Sequence, residues 1–594
     1  MSDIKFRPEL MKTDVESAND VRWVIGIVKK QNIDEFRTLE KKLFLSKTKN
    51  IASQILPHIV SVYGSTKMIE CMQYYTGIEW DEEYDIMEYI SEDALKGLAE
   101  RKVSALYLAT FMDRTDIACT LIKCSGENNI RFCFRTLQLS NPMEEVFMIV
   151  LAKQLKMKHS ALKPAVIPGH REKDGKRTRV YIVYSVHITP DYIDELDDIG
   201  LVMFRNPYIY TLEGERNTKK LISPEDAKRA KKATSKHQDM LWKNHSNLNI
   251  ISVSPLIYRE NGAKIIDKPC IELYCSTKGV VPLGELEFPK QLYVDEGDYI
   301  DVDVHEGYFM LGGYDSIPSI VRHPTLKMGC DIGRSTVDAS GQPPSFTSGT
   351  HGPFVKFNNK IGFLTCAHVV FNDPSTSPYN DYQYDGNDKI EVTQPSVDVK
   401  MFKDPACGHV HRAIFNPQLD PSVDVAVIEI TDQTRIPTTG QFSNTRQSSY
   451  ERTGFEELPE YNSGLIQIDV KHFSTTHTVF KFGSSTDVTR GLLEVNKVNA
   501  RPLSTVLDLP SHSRSFLMTN QYQVFGCHPT LTFCTAGDSG SAVFMKRPCG
   551  DLVCIGMVIG YMNVNTNPHP CAVVTPIGAI LNALGPEYSI ASFP

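Results

Sequence analysis

The sequence lacks the segments that direct a chain into or across a membrane. Residues 1–20 contain no basic stretch followed by an apolar one, so a signal peptide is not expected. Apolar runs such as 146–152 are far shorter than the ~18 residues that a membrane-spanning helix needs. With 41% hydrophobic and 23% charged residues, the composition also excludes a collagen-like, low-complexity or wholly disordered chain. We therefore expect a protein of the cytoplasm or the nucleus, without a membrane partner.

The sequence also lacks the paired CxxC motifs of a zinc ribbon, because its 14 cysteines are scattered along the chain. In a reducing compartment these cysteines are expected to be free thiols. One cluster suggests a metal site, since Cys407, His409 and His411 would share one face of a β-strand. A fourth ligand is not evident, so we favour a half-buried strand and expect neither a metal ion nor a cofactor.

An excess of positive charge is absent as well. The chain has 63 Lys and Arg against 71 Asp and Glu, which gives a net charge of −8. An acidic protein is not expected to bind nucleic acid along its whole length. A basic helix is nevertheless predicted after Ser223, where a capping residue precedes Pro224 and two acidic residues. Its basic residues are Lys228, Arg229, Lys231, Lys232 and Lys236. A solvated helix face is their more common role, so we expect no nucleic-acid partner.

The length of 594 residues corresponds to about four domain-sized units. Helical periodicity predicts a helical module over residues 1–100, which either binds a protein partner or serves as a plain structural bundle. Residues 101–320 show mixed α/β patterns, including a strand after the turn signal Asp174-Gly175. The glycine-rich stretch Gly329–Gly352 is predicted to be a linker, and residues 330–594 then follow as an all-β domain. The fold class expected is therefore multidomain.

Three short motifs in the last segment belong together. His368 follows an apolar strand pattern, Asp424 precedes the next one, and Ser539 lies in the sequence Gly537-Asp-Ser-Gly540. In this order the motifs resemble those of the chymotrypsin-like serine peptidase family, over less than half of the chain. Other segments are similar to that family, namely 348–355 (a first barrel strand), 480–491 (a lysine-, glycine- and threonine-rich segment), 555–560 (the strand along the specificity pocket) and 576–584 (the closing helix).

The resemblance implies two six-stranded β-barrels with a cleft between them, and a protein or peptide substrate. His368 would act as general base towards Ser539, and Asp424 would hold the imidazole in the useful tautomer. A serine hydroxyl needs such a base because it is a poor nucleophile at neutral pH. The backbone N–H groups of Gly537 and Ser539 would form the oxyanion hole. The expected activity is that of a serine endopeptidase.

The sequence departs from the secreted members of the family at two points. Val369 stands where those members have a disulfide-forming cysteine, in agreement with a reducing compartment. Asp538 is present, but no segment resembles the new N-terminus that pairs with it in activated zymogens. We therefore expect a site that is active without processing, or one that residues 1–320 regulate.

Phe533 lies six residues before Ser539, at the base of the family's primary specificity pocket, and Ala572 is expected to line the same pocket. A phenylalanine cannot pair with a cationic substrate side chain, so a preference for apolar or small residues is expected. Two alternatives to a peptidase remain open. One is a catalytically inactive scaffold, and the other is a signalling protein that recruits partners through its N-terminal helices.

Overall fold

The structure is a computed structural model that describes residues 25, 27–31, 33–37, 51–72, 84–85, 102–112, 114–122, 133, 141–162, 164–173, 176–185, 187–188, 192–196, 200–206, 222–259, 264–311, 321–336, 345–371, 381–387, 389–396, 406–443, 447–468, 477–502, 516–527, 532–564 and 569–594. Its strands, in chain order, are β1 (Tyr84–Asp85), β2 (Lys102–Val103), β3 (Ala165–Lys173), β4 (Lys176–Tyr184), β5 (Tyr192–Leu196), β6 (Gly200–Arg205), β7 (Leu248–Ser254), β8 (Ile257–Arg259), β9 (Lys264–Ile266), β10 (Cys270–Cys275), β11 (Val281–Pro282), β12 (Gln291–Asp295), β13 (Asp298–Leu311), β14 (Asp331–Thr336), β15 (Ser345–Thr350), β16 (Phe354–Phe357), β17 (Lys360–Thr365), β18 (Asp381–Gln383), β19 (Glu391–Thr393), β20 (Ala406–Asn416), β21 (Val423–Ile430), β22 (His477–Gly483), β23 (Asp487–Ala500), β24 (Met518–Gly526), β25 (Ala542–Lys546), β26 (Leu552–Val564), β27 (Cys571–Pro576) and β28 (Ser589–Ile590).

The α-helices are α1 (Ile51–Tyr63), α2 (Thr66–Met72), α3 (Ala105–Phe111), α4 (Thr115–Leu121), α5 (Asn141–Lys158), α6 (Pro224–Asn244), α7 (Ala367–Val370), α8 (Gln447–Thr453) and α9 (Ile577–Leu584), with 3₁₀ turns at Ser160–Leu162 and Gln433–Arg435. Residues 27–30 and 33–37 are also helical. The last part of the predicted helical module, residues 86–100, lies outside the described residues. Within the described ranges, no helix is long and apolar enough to cross a membrane.

The first of two compact units comprises Met1–Asn206 together with Val280–Gly284. It contains a five-stranded sheet in the order β11-β3-β4-β6-β5. The predicted hairpin at Asp174-Gly175 is confirmed by the pairing of Lys173 with Lys176. Its buried core joins helices to this sheet, because side chains such as Phe147 of α5 and Tyr181 of β4 belong to one apolar cluster.

The second unit comprises Pro207–Gly279 and Glu285–Pro594, and it contains two large sheets. One follows the order β15-β14-β19-β20-β21-β17-β16-β28, with β18 paired to β20. The other follows the order β12-β13-β10-β7-β23-β22-β25-β26-β27-β24, and a further pairing of β23 with β24 closes its last six strands into a ring. The sheet that contains the ring therefore also holds strands from the 248–311 part of the chain.

These units differ from the three segments expected from the sequence, because strand pairing joins residues that are far apart in the chain. Ile251 of β7 pairs with Asn499 of β23, so the mixed segment and the all-β segment share one sheet. Within the described part of the expected linker Gly329–Gly352, Asp331–Thr336 and Ser345–Thr350 are paired strands, from Asp331↔Thr350 to Thr336↔Ser345. Glycine and serine content indicated a flexible connection there, but two paired strands can tolerate the same composition.

The basic face of α6 packs against the β12–β13 hairpin. Arg229 is bonded to Asp298 at 2.5 Å, Lys232 lies 2.6 Å from Asp295, and the ammonium of Lys236 lies 3.7 Å from the centroid of a tyrosine ring on β12. These residues therefore hold the helix on the sheet, and three of the five basic side chains already have partners within the fold.

A two-residue turn delivers the strand that leads to His368. β16 and β17 pair from Phe354↔Phe363 to Phe357↔Lys360. The intervening Asn358 and Asn359 have φ values of 47° and 61°, as a type I′ hairpin turn requires. Asparagine is among the residues that adopt a positive φ most readily.

One buried histidine makes the stability of this unit depend on pH. His351 has no solvent exposure and stacks on Phe363 with ring centroids 3.9 Å apart. Its Nδ1 bonds to the carbonyl of Gly352 at 2.8 Å. Burial lowers the pKa of His351 to about 3, because the charged imidazolium is poorly solvated there.

Because this pKa lies below that of an unfolded histidine, the unfolded chain takes up a proton first as the pH falls. Stability is therefore lost below about pH 6.5, and His351 alone should contribute a loss of about 2 kcal/mol between pH 7 and pH 5. Urea unfolding of the wild type and of His351→Phe at both pH values measures this contribution. We expect a smaller pH dependence in the variant, and an equal dependence in both proteins would contradict the prediction.

Candidate functional site

Two neighbouring strands bring His368 and Asp424 together. β17 ends at Thr365, which pairs with Ala426 of β21, and α7 begins two residues later. The carboxylate of Asp424 accepts a hydrogen bond from Nδ1 of His368 at 2.5 Å and another from the backbone N–H of Ala367 at 2.7 Å. Because a carboxylate only accepts, Nδ1 carries the proton and the Nε2 atom is left as the acceptor.

Ser539 lies in the turn before β25. Gly537 has a φ of +90°, a conformation that side chains disfavour and that glycine adopts at little cost. The hydroxyl of Ser539 donates to the carbonyl of Ile559 at 3.1 Å. Within the described part of the chain, Nε2 of His368 has no hydrogen-bond partner. The serine hydroxyl therefore has to turn away from Ile559 before it can donate to the imidazole.

The segment that carries His368 and the turn that carries Ser539 both contact two strands, β26 and β15. The thiol of Cys366 donates to the carbonyl of Val558 at 3.2 Å, and the backbone N–H of Gly540 donates to the same oxygen at 2.8 Å. The N–H of Thr350 donates to the carbonyl of Ser539 at 2.7 Å. The structure thus places His368 in contact with Asp424, and the segment of His368 and the turn of Ser539 share one acceptor on β26 where the two sheets meet.

All three side chains are shielded from solvent. Ser539 and Asp424 have no exposed surface, and His368 exposes 1%. The hydroxyl of Ser539 is therefore closed to solvent in this arrangement of the chain.

A buried ion pair holds the backbone of the serine turn. The ammonium of Lys481 on β22 lies 3.1 Å from the carboxylate of Asp538, and neither side chain is exposed. Asp538 also accepts hydrogen bonds from the hydroxyl of Thr486 at 2.7 Å, from the N–H of Ser485 at 3.1 Å and from the N–H of Thr535 at 3.0 Å. Both oxygens of this carboxylate therefore have hydrogen-bond donors within the fold.

Lys481 is a residue whose role sequence reasoning missed. The sequence indicates it only as part of a lysine-rich segment, whereas the structure shows that its ammonium is the cation paired with the buried carboxylate of Asp538. The signal that could have identified it is a lysine at an inward-facing position of an otherwise apolar strand, because such a charge needs a partner.

The two predicted pocket residues lie inside the ring. Phe533 and Ala572 are fully buried and belong to one apolar cluster. The carbonyl of Phe533 accepts a hydrogen bond from the hydroxyl of Thr489 at 2.7 Å. A Cβ added at Gly491 would come within 2.7 Å of the phenyl group of Phe533. This part of the ring is apolar and closely packed.

The predicted cluster of Cys407, His409 and His411 lies on β20, which confirms the strand. The thiol of Cys407 donates to Val392, and the ring of His411 stacks on Phe357 at 4.5 Å. The two histidines face Glu429, whose carboxylate lies 3.9 Å from Nε2 of His409 and 3.9 Å from Nδ1 of His411.

Among the described residues, the group of three metal-type donors within 4.8 Å of one another is instead Cys366, His368 and Asp424. Burial and the nearby Asp424 raise the pKa of Cys366 well above its usual range, so it is a neutral thiol. A metal ion binds the thiolate form of cysteine, so the neutral thiol of Cys366 does not favour a metal ion in this group.

No protein-family model and no curated protein matches the chain. Among solved structures, a glutamic acid-specific serine protease described as using a histidine triad in substrate binding is 15% identical, with a TM-score of 0.27 over 45% of this chain and 100% of its own. Protease A of Thermobifida fusca is 13% identical, with a TM-score of 0.28 over 45% and 99%. An alpha-lytic protease homologue is 14% identical, with a TM-score of 0.25 over 44% and 97%. All three are proteases, and each aligns with less than half of this chain.

Proposed function

We propose that the second unit is a serine endopeptidase with Ser539 as nucleophile, His368 as general base and Asp424 as the group that orients the base. The observation that carries this proposal is the buried hydrogen bond of 2.5 Å from Nδ1 of His368 to Asp424, on a loop that meets the serine turn. In finer detail, we propose a chymotrypsin-like arrangement in which the ring β22–β27 is one barrel and the sheet containing β17 and β21 supplies the other.

The proposed reaction begins when Nε2 of His368 accepts the proton of Ser539. The hydroxyl oxygen then bonds to the scissile carbonyl carbon, and the carbonyl electrons move onto its oxygen. The imidazolium of His368 returns the proton to the amide nitrogen as the C–N bond breaks, which leaves an acyl-enzyme on Ser539. A water molecule, deprotonated by His368, attacks this ester and restores the hydroxyl.

The negative charge on the carbonyl oxygen requires fixed hydrogen-bond donors. We assign this role to the backbone N–H groups of Gly537 and Ser539. The positive φ of Gly537 and the buried pair of Lys481 with Asp538 support this assignment, because both features fix the peptide planes of the turn. The turn is therefore organised without a new N-terminus.

We further propose an intracellular location, which the buried thiols of the second unit support. Cys366, Cys407 and Cys554 are examples of these thiols. Structural disulfides are rare where thiols are kept reduced.

A non-catalytic scaffold is the second candidate. The hydrogen bond from Ser539 to Ile559 favours it, because the hydroxyl is directed away from its base. The intact set of His368, Asp424, Ser539 and Gly537 favours the enzyme, since an inactive scaffold does not need these four residues together.

Hydrolysis of a mixed peptide library distinguishes the two candidates. We expect the wild type to cleave the library and Ser539→Ala to lose this activity, while Ser448→Ala, at an exposed position of α8, keeps it. Library cleavage that survives in Ser539→Ala would contradict the proposed nucleophile. No cleavage by the wild type, together with no labelling of Ser539 by a fluorophosphonate, would favour the scaffold.

The same library tests the proposed specificity. We propose that Phe533 and Ala572 form the base of the primary pocket and that the preferred residue before the scissile bond is apolar or small. Both side chains are uncharged and lie among apolar groups, so a substrate cation would be desolvated there without a partner. Cleavage mainly after lysine or arginine would be incompatible with this assignment.

A further inference from the structure

The strand β13 changes partners along its length. Its first part pairs with β12 and β10, whereas Gly307–Leu311 pairs antiparallel with Gly560–Val564 of β26. On its opposite edge, β26 pairs with β27. The last five residues of β13 therefore fill an edge of the ring that would otherwise be open to an extended peptide.

This edge leads directly to the candidate nucleophile. Leu311 lies opposite Gly560, and the preceding residue Ile559 is the one whose carbonyl accepts the hydroxyl of Ser539. Because the two strands are antiparallel, the chain of β13 runs towards the Ser539 end of β26. Its last residue, Leu311, lies opposite the residue that follows Ile559. The main chains are in close contact here, since a Cβ at Gly560 would overlap the carbonyl of Met310.

An extended peptide is recognised at such an edge by main-chain hydrogen bonds, with side chains alternating between the two faces. A peptidase needs its substrate in extended form beside the nucleophile. We propose that residues 307–311 occupy the substrate-binding edge of this protein as an intramolecular substrate mimic, and that activity requires their displacement. This inference rests on the proposed function and specifies how the same site is regulated.

Side-chain packing explains why the mimic stays in place. Phe309 is fully buried in the core of the second unit, while Tyr308 and Met310 are 4% and 7% exposed and pack against Tyr561 of β26. The hydroxyl of Tyr308 donates to the carbonyl of Ser276. Neighbouring residues of this short segment are thus anchored on both faces of the sheet.

The state of the triad agrees with an occupied site. Ser539 has no exposed surface, its hydroxyl is bonded to Ile559, and Nε2 of His368 has no hydrogen-bond partner within the described residues. Release of β13 from β26 would open the edge beside Ile559 to solvent and to substrate. A purely structural strand, by contrast, would have no influence on the reactivity of Ser539.

A reversible cross-link tests the inference in the full chain. Met310 and Tyr561 lie directly opposite each other, so Met310→Cys/Tyr561→Cys is placed to form a disulfide between β13 and β26. The readout is the rate at which a fluorophosphonate labels Ser539. We expect the oxidised form to label at least about tenfold more slowly than the reduced form, because opening of the strand is blocked.

The matched control links the other half of β13. Tyr293 and Tyr299 are also directly opposite, on β12 and β13, and Tyr293→Cys/Tyr299→Cys leaves the β26 edge untouched. Its labelling rate should be the same in the oxidised and reduced forms. Equal rates for both forms of the Met310→Cys/Tyr561→Cys protein, with the disulfide verified by mass, would overturn the inference while leaving the peptidase proposal intact.

A binding measurement separates failure of this inference from failure of the proposed function. Tyr308→Ser/Met310→Ser weakens the hold of β13 on β26, and Ser539→Ala removes hydrolysis. With both changes present, the protein should bind a fluorescent peptide of the sequence Glu306–Leu311, whereas Ser539→Ala alone should not. Binding without any labelling of Ser539 in the catalytic background would support the occupied edge and reject the peptidase. No binding by a folded release variant, checked by its thermal transition, would reject the mimic.

Discussion

Replacing Asp424 with asparagine is expected to lower kcat/KM for peptide hydrolysis by about 10⁴-fold with little change in the fold. The carboxylate of Asp424 accepts from Nδ1 of His368 and from the N–H of Ala367. An amide group would donate to Nδ1 instead, which moves the ring proton to Nε2. A protonated Nε2 cannot accept the proton of Ser539, so the hydroxyl loses its base.

The control for this variant lies on the same strand. Glu429 of β21 forms a surface ion pair with Lys360 at 2.9 Å, and Glu429→Gln should leave kcat/KM nearly unchanged. Measurement of kcat/KM for both variants and of their thermal transitions separates the loss of the base from loss of structure. An Asp424→Asn protein that keeps activity within about tenfold of the wild type would exclude the proposed role of the carboxylate.

Replacing Lys481 with methionine is expected to remove both activity and stability. The substitution leaves the buried carboxylate of Asp538 without its cation, and breaking a buried pair in this way costs about 3–5 kcal/mol. The carboxylate would then leave its present position and carry the peptide planes around Gly537 with it. Loss of one fixed oxyanion donor lowers kcat by about 10²-fold or more. We therefore expect a lower urea midpoint and a lower kcat in the same variant.

A double-mutant cycle tests whether the pair acts as a unit. Lys481→Met/Asp538→Asn removes the uncompensated charge, so it should be more stable than Lys481→Met alone. Lys356 on β16 is exposed, and Lys356→Met serves as a control that should not change the midpoint. An unchanged urea midpoint in Lys481→Met would show that the ammonium does not hold the serine turn.

Local motifs made part of this site predictable from the sequence. Asparagine at 358 and 359 is a local signal for the turn that delivers β17, and the order of His368, Asp424 and Ser539 selected a histidine and a carboxylate that the fold brings into contact. Each of these predictions depends on a few adjacent residues whose backbone or chemical requirements are narrow. Lys481 was not predicted, because its partner Asp538 is 57 residues away and only the folded strand brings them together.

Non-local pairing accounts for the features that were not predicted. β13 carries no motif that indicates its partner, and its pairing with β26 joins Leu311 to Gly560 across a long stretch of chain. The same effect misplaced the boundary near residue 330, because composition cannot reveal that β7 pairs with β23. Regulation of the site by residues 1–320 stays a prediction. The pairing of β13 with the edge of β26 is one way in which these residues would regulate it.

Covalent labelling of Ser539 tests the central claim most directly. The wild type and the release variant Tyr308→Ser/Met310→Ser are treated with a fluorophosphonate, and the modified peptide is identified by mass spectrometry. The account predicts an adduct on Ser539 that forms faster in the release variant and is absent in Ser539→Ala. Absence of any adduct on Ser539 in both folded proteins would contradict the account.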